Sequence, residues 1–114
     1  MGRKILFITT DQQRYDALGC NGGTIARTPV LDALSRAGIT FDRAHPQNVV
    51  CMPSRSTMLT GQHVSTHGVW MNGVPLPEDA PSIAADLRGA GYATALIGKA
   101  HFEPLLDPFL RFTE

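Results

Sequence analysis

The chain is predicted to be an α/β protein, built as a mostly parallel sheet with flanking helices, and three observations predict it. β-rich apolar runs at 4–10, 39–44 and 93–99 alternate with stretches of helical character. Each helical stretch carries its own start and stop residues. The first and last runs are short and nearly continuous in apolar character, as expected of strands covered on both faces. Alternation of this kind implies parallel strands joined by right-handed crossovers.

The first run, "KILFITT", ends at Asp11 and reads as a buried strand delivering a carboxylate at its C-terminal end. "CNGGTIARTP" has loop chemistry. "TPVLDALSRAG" follows as a helix with Thr28 as N-cap, Pro29 at the first helical position and Gly38 as stop, its buried face formed by Val30, Leu31 and Leu34. A second strand, "ITFDRA", places Ile39 and Phe41 on one side. "PSRSTMLTG" reads as a helical turn or two beginning near Pro53 and ending at Gly61. A long polar connection then passes through His63, His67, Trp70 and Asn72. "APSIAADLRGAGY" is a helix with Ile83 and Leu87 one turn apart and Gly91 as terminator. The last run, "ATALIGK", leads to Lys99 and His101. In such sheets ligands bind beyond the carboxyl ends of the strands, which is where Asp11, Lys99 and His101 fall.

Composition bounds the function. The chain has 114 residues, 43% of them apolar and 18% charged, with a formal net charge of zero, so it carries no electrostatic footprint for nucleic acid or an anionic membrane. The length suits a single domain with one modest core. No apolar run approaches a membrane span, and the run after Arg3 and Lys4 is too short for a signal-peptide core, so a cytoplasmic address is expected. Leu6 stands where N-myristoylation at Gly2 would need Ser or Thr. Two cysteines in such a chain are expected as free thiols, with Cys20 packed into its loop.

Cys51 requires a reason of its own. A helix beginning near Pro53 would turn free backbone N–H groups and the positive end of its dipole toward Cys51, lowering its thiol pKa and favouring anions. Arg55 adds a permanently charged fork suited to tetrahedral oxyanions. The plainer alternative makes Cys51 a small buried hydrophobe and Arg55 a surface cation. A cysteine phosphatase is excluded, because its phosphate loop needs the arginine about six positions after the cysteine rather than at Arg55.

"CMPSRSTMLTG" closely resembles the sulfatase signature, and "ILFITTDQQRYDALGCNG", "TPVLDALSRAGITF", "THGV" and "GKAHF" resemble, in order, the N-terminal part of that alkaline phosphatase-like family over residues 4–103. The resemblance implies that Cys51 is the precursor of formylglycine, made by a dedicated formylglycine-generating enzyme that reads Cys51, Pro53 and Arg55. Its hydrate would offer one hydroxyl to attack sulfur and another to expel the sulfate. The implied substrate is a small-molecule sulfate ester. The implied cofactor is a divalent metal, most simply Ca²⁺ with Mg²⁺ or Mn²⁺ admitted, held by Asp11, Gln12 and the modified Cys51. Gln12 departs from the commoner second Asp of the pattern and contributes no charge. Lys99 and His101 match the family's anion-binding and proton-handling residues. Asn72 resembles an Asn near the active centre of sulfatases and phosphonate hydrolases, which implies a substrate-binding residue, with a turn-forming Asn before Gly73 as the rival reading. His67, ahead of Gly68, is expected to be structural, and Trp70 and Met71 are expected to be buried by packing, with lining of the substrate pocket as the alternative.

Three functional readings follow. The first is a sulfuric ester hydrolase. The second is a phosphonate monoester or phosphodiester hydrolase of the same superfamily, which shares the Asp-Gln start but tends to carry Tyr and Thr in place of Lys99 and His101. The third is a non-catalytic truncated fragment, because sulfatases are several times longer and the rest of the domain supplies their remaining metal ligands. Substrate identity and oligomeric state are not legible.

Overall fold

The computed structural model describes residues 2–102, which fall into two compact units divided after Ala44. Four α-helices are present among them: α1 (Pro29–Ala37) in the first unit, and α2 (Cys51–Thr60), α3 (Val64–His67) and α4 (Ile83–Gly89) in the second. The first unit also holds two 3-10 turns, Tyr15–Ala17 and Gly19–Asn21.

α1 begins and ends where its cap residues dictate, at Thr28 and Gly38. The Thr28 hydroxyl does not cap its own helix. It accepts from the Gly19 N–H at 2.8 Å and donates to Asp32 Oδ1 at 2.9 Å, while Asp32 Oδ1 also accepts from the Cys20 N–H at 2.8 Å. The second 3-10 turn is thereby docked on the first turn of α1. A Cβ at 19 would lie 2.6 Å from Asp32 Oδ2, so a larger residue there would displace the carboxylate that docks the turn. Removal from water pushes the Asp32 carboxyl up, but the hydrogen bonds from Thr28 and Cys20, with Arg36 nearby, outweigh it and hold the group below its ordinary value of 3.8.

Two expectations are corrected in this part of the fold, and the sheet is not seen in it. None of the described residues forms a strand, so the runs at 4–10, 39–44 and 93–99 have no ladder among them. A strand exists only through its ladder partners, and no neighbouring segment supplies them here. The face of α1 expected to be buried is open for the same reason: Val30 is 78% exposed, and Leu31 and Leu34 are also exposed, since that face has no sheet to cover. Cys20 lies on the surface rather than packed, and both cysteines are free thiols.

The core of the second unit is Met52, Val69, Leu76, Ala100 and Phe102, with Leu59, Val74 and Ala80 packed against it. α2 packs on both α3 and α4. α4 starts at Ser82, whose hydroxyl accepts from the Ala85 N–H at 3.1 Å, and ends with the chain turning through Gly91 at φ +87°. α2 ends at Gly61, which takes the left-handed conformation (φ +68°). Near residue 100 the chain is pinned at alternate positions. Ala100 and Phe102 are buried and the Phe102 carbonyl accepts from the Leu76 N–H at 3.0 Å, so Lys99 projects outward and His101 is half-buried. No helix among the described residues is long and apolar enough to cross a membrane.

Candidate active site

α2 starts two residues earlier than expected, so Cys51 is its first residue and Val50 its extended N-cap (φ −91°, ψ 145°). Pro53 is tolerated in this first turn because its missing N–H would have no intrahelical acceptor there. The donors at this helix start are nearly all committed. Val50 N–H bonds Asn48 Oδ1 at 2.8 Å, Met52 N–H bonds Asn72 Oδ1 at 2.9 Å, and Ser54 N–H closes the first intrahelical bond on the Val50 carbonyl at 3.1 Å. With Pro53 carrying no donor, the expected cradle of free amides reduces to the N–H of Cys51 itself. Anion binding at this end therefore falls to cationic side chains.

Two cations are in place. Lys99 Nζ lies 4.0 Å from Cys51 Sγ, although the residues are far apart in sequence. Arg55 Nη1 donates to the Lys99 carbonyl at 2.8 Å, so part of the guanidinium fork holds the segment that carries Lys99. Gly98, at φ +99°, supplies the turn ahead of Lys99. His101 follows at φ +57°, a left-handed conformation uncommon outside glycine. The only other non-glycine residue with positive φ among those described is Gln12, at +53°. Both outliers are candidate site residues, the distribution expected when backbone strain is retained for function.

The second unit brings together Cys51, Arg55, Asn72 and Lys99, with His101 two residues beyond. Asp11 and Gln12 lie in the first unit, both exposed. No group of three or more His, Cys, Asp or Glu side chains suited to a metal ion occurs among the described residues. Trp70 and Met71 depart from the packing expected of them. They are 63% and 43% exposed, because the chain is anchored on either side of them, at buried Val69 and at Asn72.

His67 is structural, as its position before Gly68 suggested. Its Nδ1 accepts from the Val69 N–H at 3.1 Å, so the proton sits on Nε2, which donates to Thr57 Oγ1 at 3.0 Å and ties α3 to α2. Burial holds the imidazole below its ordinary 6.5, partly opposed by a hydrogen bond with its own backbone. The neutral ring is the folded form, so the unfolded chain takes up a proton first as the pH falls. Its contribution to stability is full above 6.5 and is lost progressively below it. Acidification from about pH 7.5 to about 5.5 is expected to lower the thermal midpoint of the wild type, and His67→Gln is expected to flatten that dependence in parallel thermal scans.

Sequence reasoning missed Met52 and Asn48. Met52 is fully buried, and its sulfur accepts from the Gly73 N–H at 3.1 Å in addition to its own N–H bond with Asn72. Asn48 was detectable, since an Asn two residues ahead of a helix cap carries the Asx-turn signal.

Comparison with known proteins places the sequence in a family. Residues 3–106 match the family model described as Sulfatase. The chain is 35% identical over 100 residues to an ulvan-active sulfatase of Formosa agariphila, covering 88% of this chain and 20% of that protein. It is 37% identical over 106 residues to an arylsulfatase of Clostridium perfringens, covering 91% and 22%. It is 36% identical over 111 residues to a multifunctional alkaline phosphatase superfamily protein of Trinickia caryophylli, covering 93% and 21%. The chain thus spans about a fifth of the length of the curated relatives it matches.

Proposed function

The chain belongs to the sulfatase family, and we propose that the protein carrying it hydrolyses sulfate esters with residue 51, oxidised from cysteine to formylglycine by a dedicated enzyme, as nucleophile. The observation that carries this reading is the convergence of Cys51, Arg55 and Lys99 at the start of α2. Family membership implies an α/β fold. In the complete protein the runs at 4–10, 39–44 and 93–99 take their places in a mostly parallel sheet, with partners from the additional length its relatives have.

The chain's own residues divide the work. Lys99 offers an ammonium beside residue 51, placed to bind the sulfate oxygens and to stabilise negative charge developing on the attacking oxygen. Arg55 fixes the segment that carries Lys99 and adds its charge to the same end of α2. His101, held in a strained backbone two residues on, is the proton-handling group for the departing alcohol. Formylglycine, when formed, supplies a hydrated aldehyde with one hydroxyl to attack and one to release the product. The Asp11 carboxylate and the Gln12 amide carbonyl are hard oxygen donors, the type that suits Ca²⁺, Mg²⁺ or Mn²⁺, and would hold a cation that contributes charge stabilisation.

Gln12 favours a second reading, a phosphonate monoester or phosphodiester hydrolase, because a neutral amide stands where the commoner sulfatase pattern has a carboxylate. The sulfate reading is preferred for Lys99 and His101. Peptide mass spectrometry of residue 51, on protein made alongside the maturing enzyme, followed by parallel assays on an aryl sulfate and an aryl phosphonate, tests both. An aldehyde at 51 and faster sulfate turnover support the proposal. Unmodified cysteine beside a matured control sulfatase overturns it, and faster phosphonate turnover selects the second reading.

A further inference from the structure

The residue at position 51 is bracketed. Its preceding neighbour, Val50, gives its N–H to Asn48 Oδ1 at 2.8 Å, and its following neighbour, Met52, gives its N–H to Asn72 Oδ1 at 2.9 Å. The first bond is local. The second comes from 20 residues away, and the turn that delivers it grips Met52 twice, since the Gly73 N–H also points at Met52 Sδ at 3.1 Å. Gly73 takes φ +95°, which only glycine adopts freely, and the Met52 side chain is fully buried. A donor N–H on Met52 requires an acceptor opposite it, so the orientation of the Asn72 amide is settled and its oxygen is committed to the helix.

From this geometry we infer that Asn72 is a positioning residue: with Asn48 it forms a pair of asparagine carbonyls that hold both flanks of residue 51, and it acts on the reaction through the bond of its Oδ1 to Met52. The physical need is clear. The first turn of a helix lacks internal hydrogen bonds and frays most readily, and this one must hold a nucleophile steady. Pro53 has no N–H and so offers no further donor to anchor. Displacing a reacting atom by about 1 Å costs on the order of 10²-fold in rate, so a clamp at this point acts directly on the chemical step.

The inference rests on the sulfatase reading for its kinetic arm only. Amide hydrogen exchange at Met52, followed by NMR on the full chain, tests the clamp without any substrate. Asn72→Ala is expected to speed exchange at Met52 by about tenfold or more, whereas Asn72→Asp, which keeps the acceptor, preserves protection. Asn48→Ala, the second variant, should expose the Val50 N–H and leave Met52 protected. In the kinetic arm, Asn72→Ala should lower kcat by about tenfold or more. Asn72→Asp should keep kcat within about threefold of wild type and raise KM, because its charge repels the anionic ester. Unchanged exchange at Met52 in Asn72→Ala overturns the inference. So does a kcat for Asn72→Asp as low as that of Asn72→Ala, which would assign the amide N–H groups a direct contact with substrate. If the wild type turns over no sulfate ester, the sulfatase reading fails by itself and the exchange measurement still decides the clamp.

Discussion

Cys51→Ala is expected to abolish ester hydrolysis, by about 10³-fold or more, while leaving the fold intact. The two halves of this expectation have separate causes. In the proposed mechanism the nucleophile is derived from the side chain of residue 51, which alanine cannot supply. The fold at that point, by contrast, is held by backbone and neighbours: by Asn48 on Val50, by Asn72 on Met52 and by the first intrahelical bond at Ser54. Cys51 itself is half-buried and outside the core cluster. Arg55→Ala should lose activity to a comparable degree, because it removes a charge and releases the Lys99 carbonyl together. Initial rates on an aryl sulfate, with circular dichroism melts of the same preparations, check both halves. Near-normal turnover in either variant would overturn the assignment of the nucleophile site.

Met52→Ala is expected to produce the largest loss of stability of any single truncation in the second unit, about 2–5 kcal/mol. Met52 is fully buried in a core that numbers five residues among those described, so few neighbours can rearrange to fill the space it leaves. The substitution also deletes the sulfur that receives the Gly73 N–H. Met58, two turns along the same helix and 46% exposed, is the internal control, and Met58→Ala should stay within about 0.5 kcal/mol of wild type. Urea unfolding of the two variants side by side measures the difference. Equal effects at the two positions would mean that the core does not centre on Met52.

The helices were legible wherever the stop and start signals are local. Thr28 with Pro29 and Gly38 bound α1, Gly61 ends α2 and Ser82 opens α4, because cap chemistry depends on residues within one turn of each other. The start of α2 was misjudged by two residues because Pro53 looks like a first helical position, and it is equally compatible with the third. The apolar runs at 4–10, 39–44 and 93–99 were read from composition alone. Composition says that a run can pair but cannot name its partner, and among the described residues none is supplied.

The chemistry of the site was written in local sequence. Cys51, Pro53 and Arg55 form a contiguous signature, and Lys99 and His101 stand in a short element of their own, so the resemblance to the sulfatase family nominated them where residue types and spacing alone left plainer readings open. Their geometry was decided only by tertiary structure. That the Arg55 fork reaches the Lys99 carbonyl, that Lys99 comes within 4.0 Å of Cys51, and that Asn72 spends its oxygen on the Met52 N–H are long-range facts. Each bond joins residues 20 or more positions apart, and no local propensity encodes such a meeting. It follows from which side chains are buried together: Met52, Val69, Leu76, Ala100 and Phe102 pack into one cluster, and their burial draws the start of α2, the Asn72 turn and the Lys99 segment to the same place.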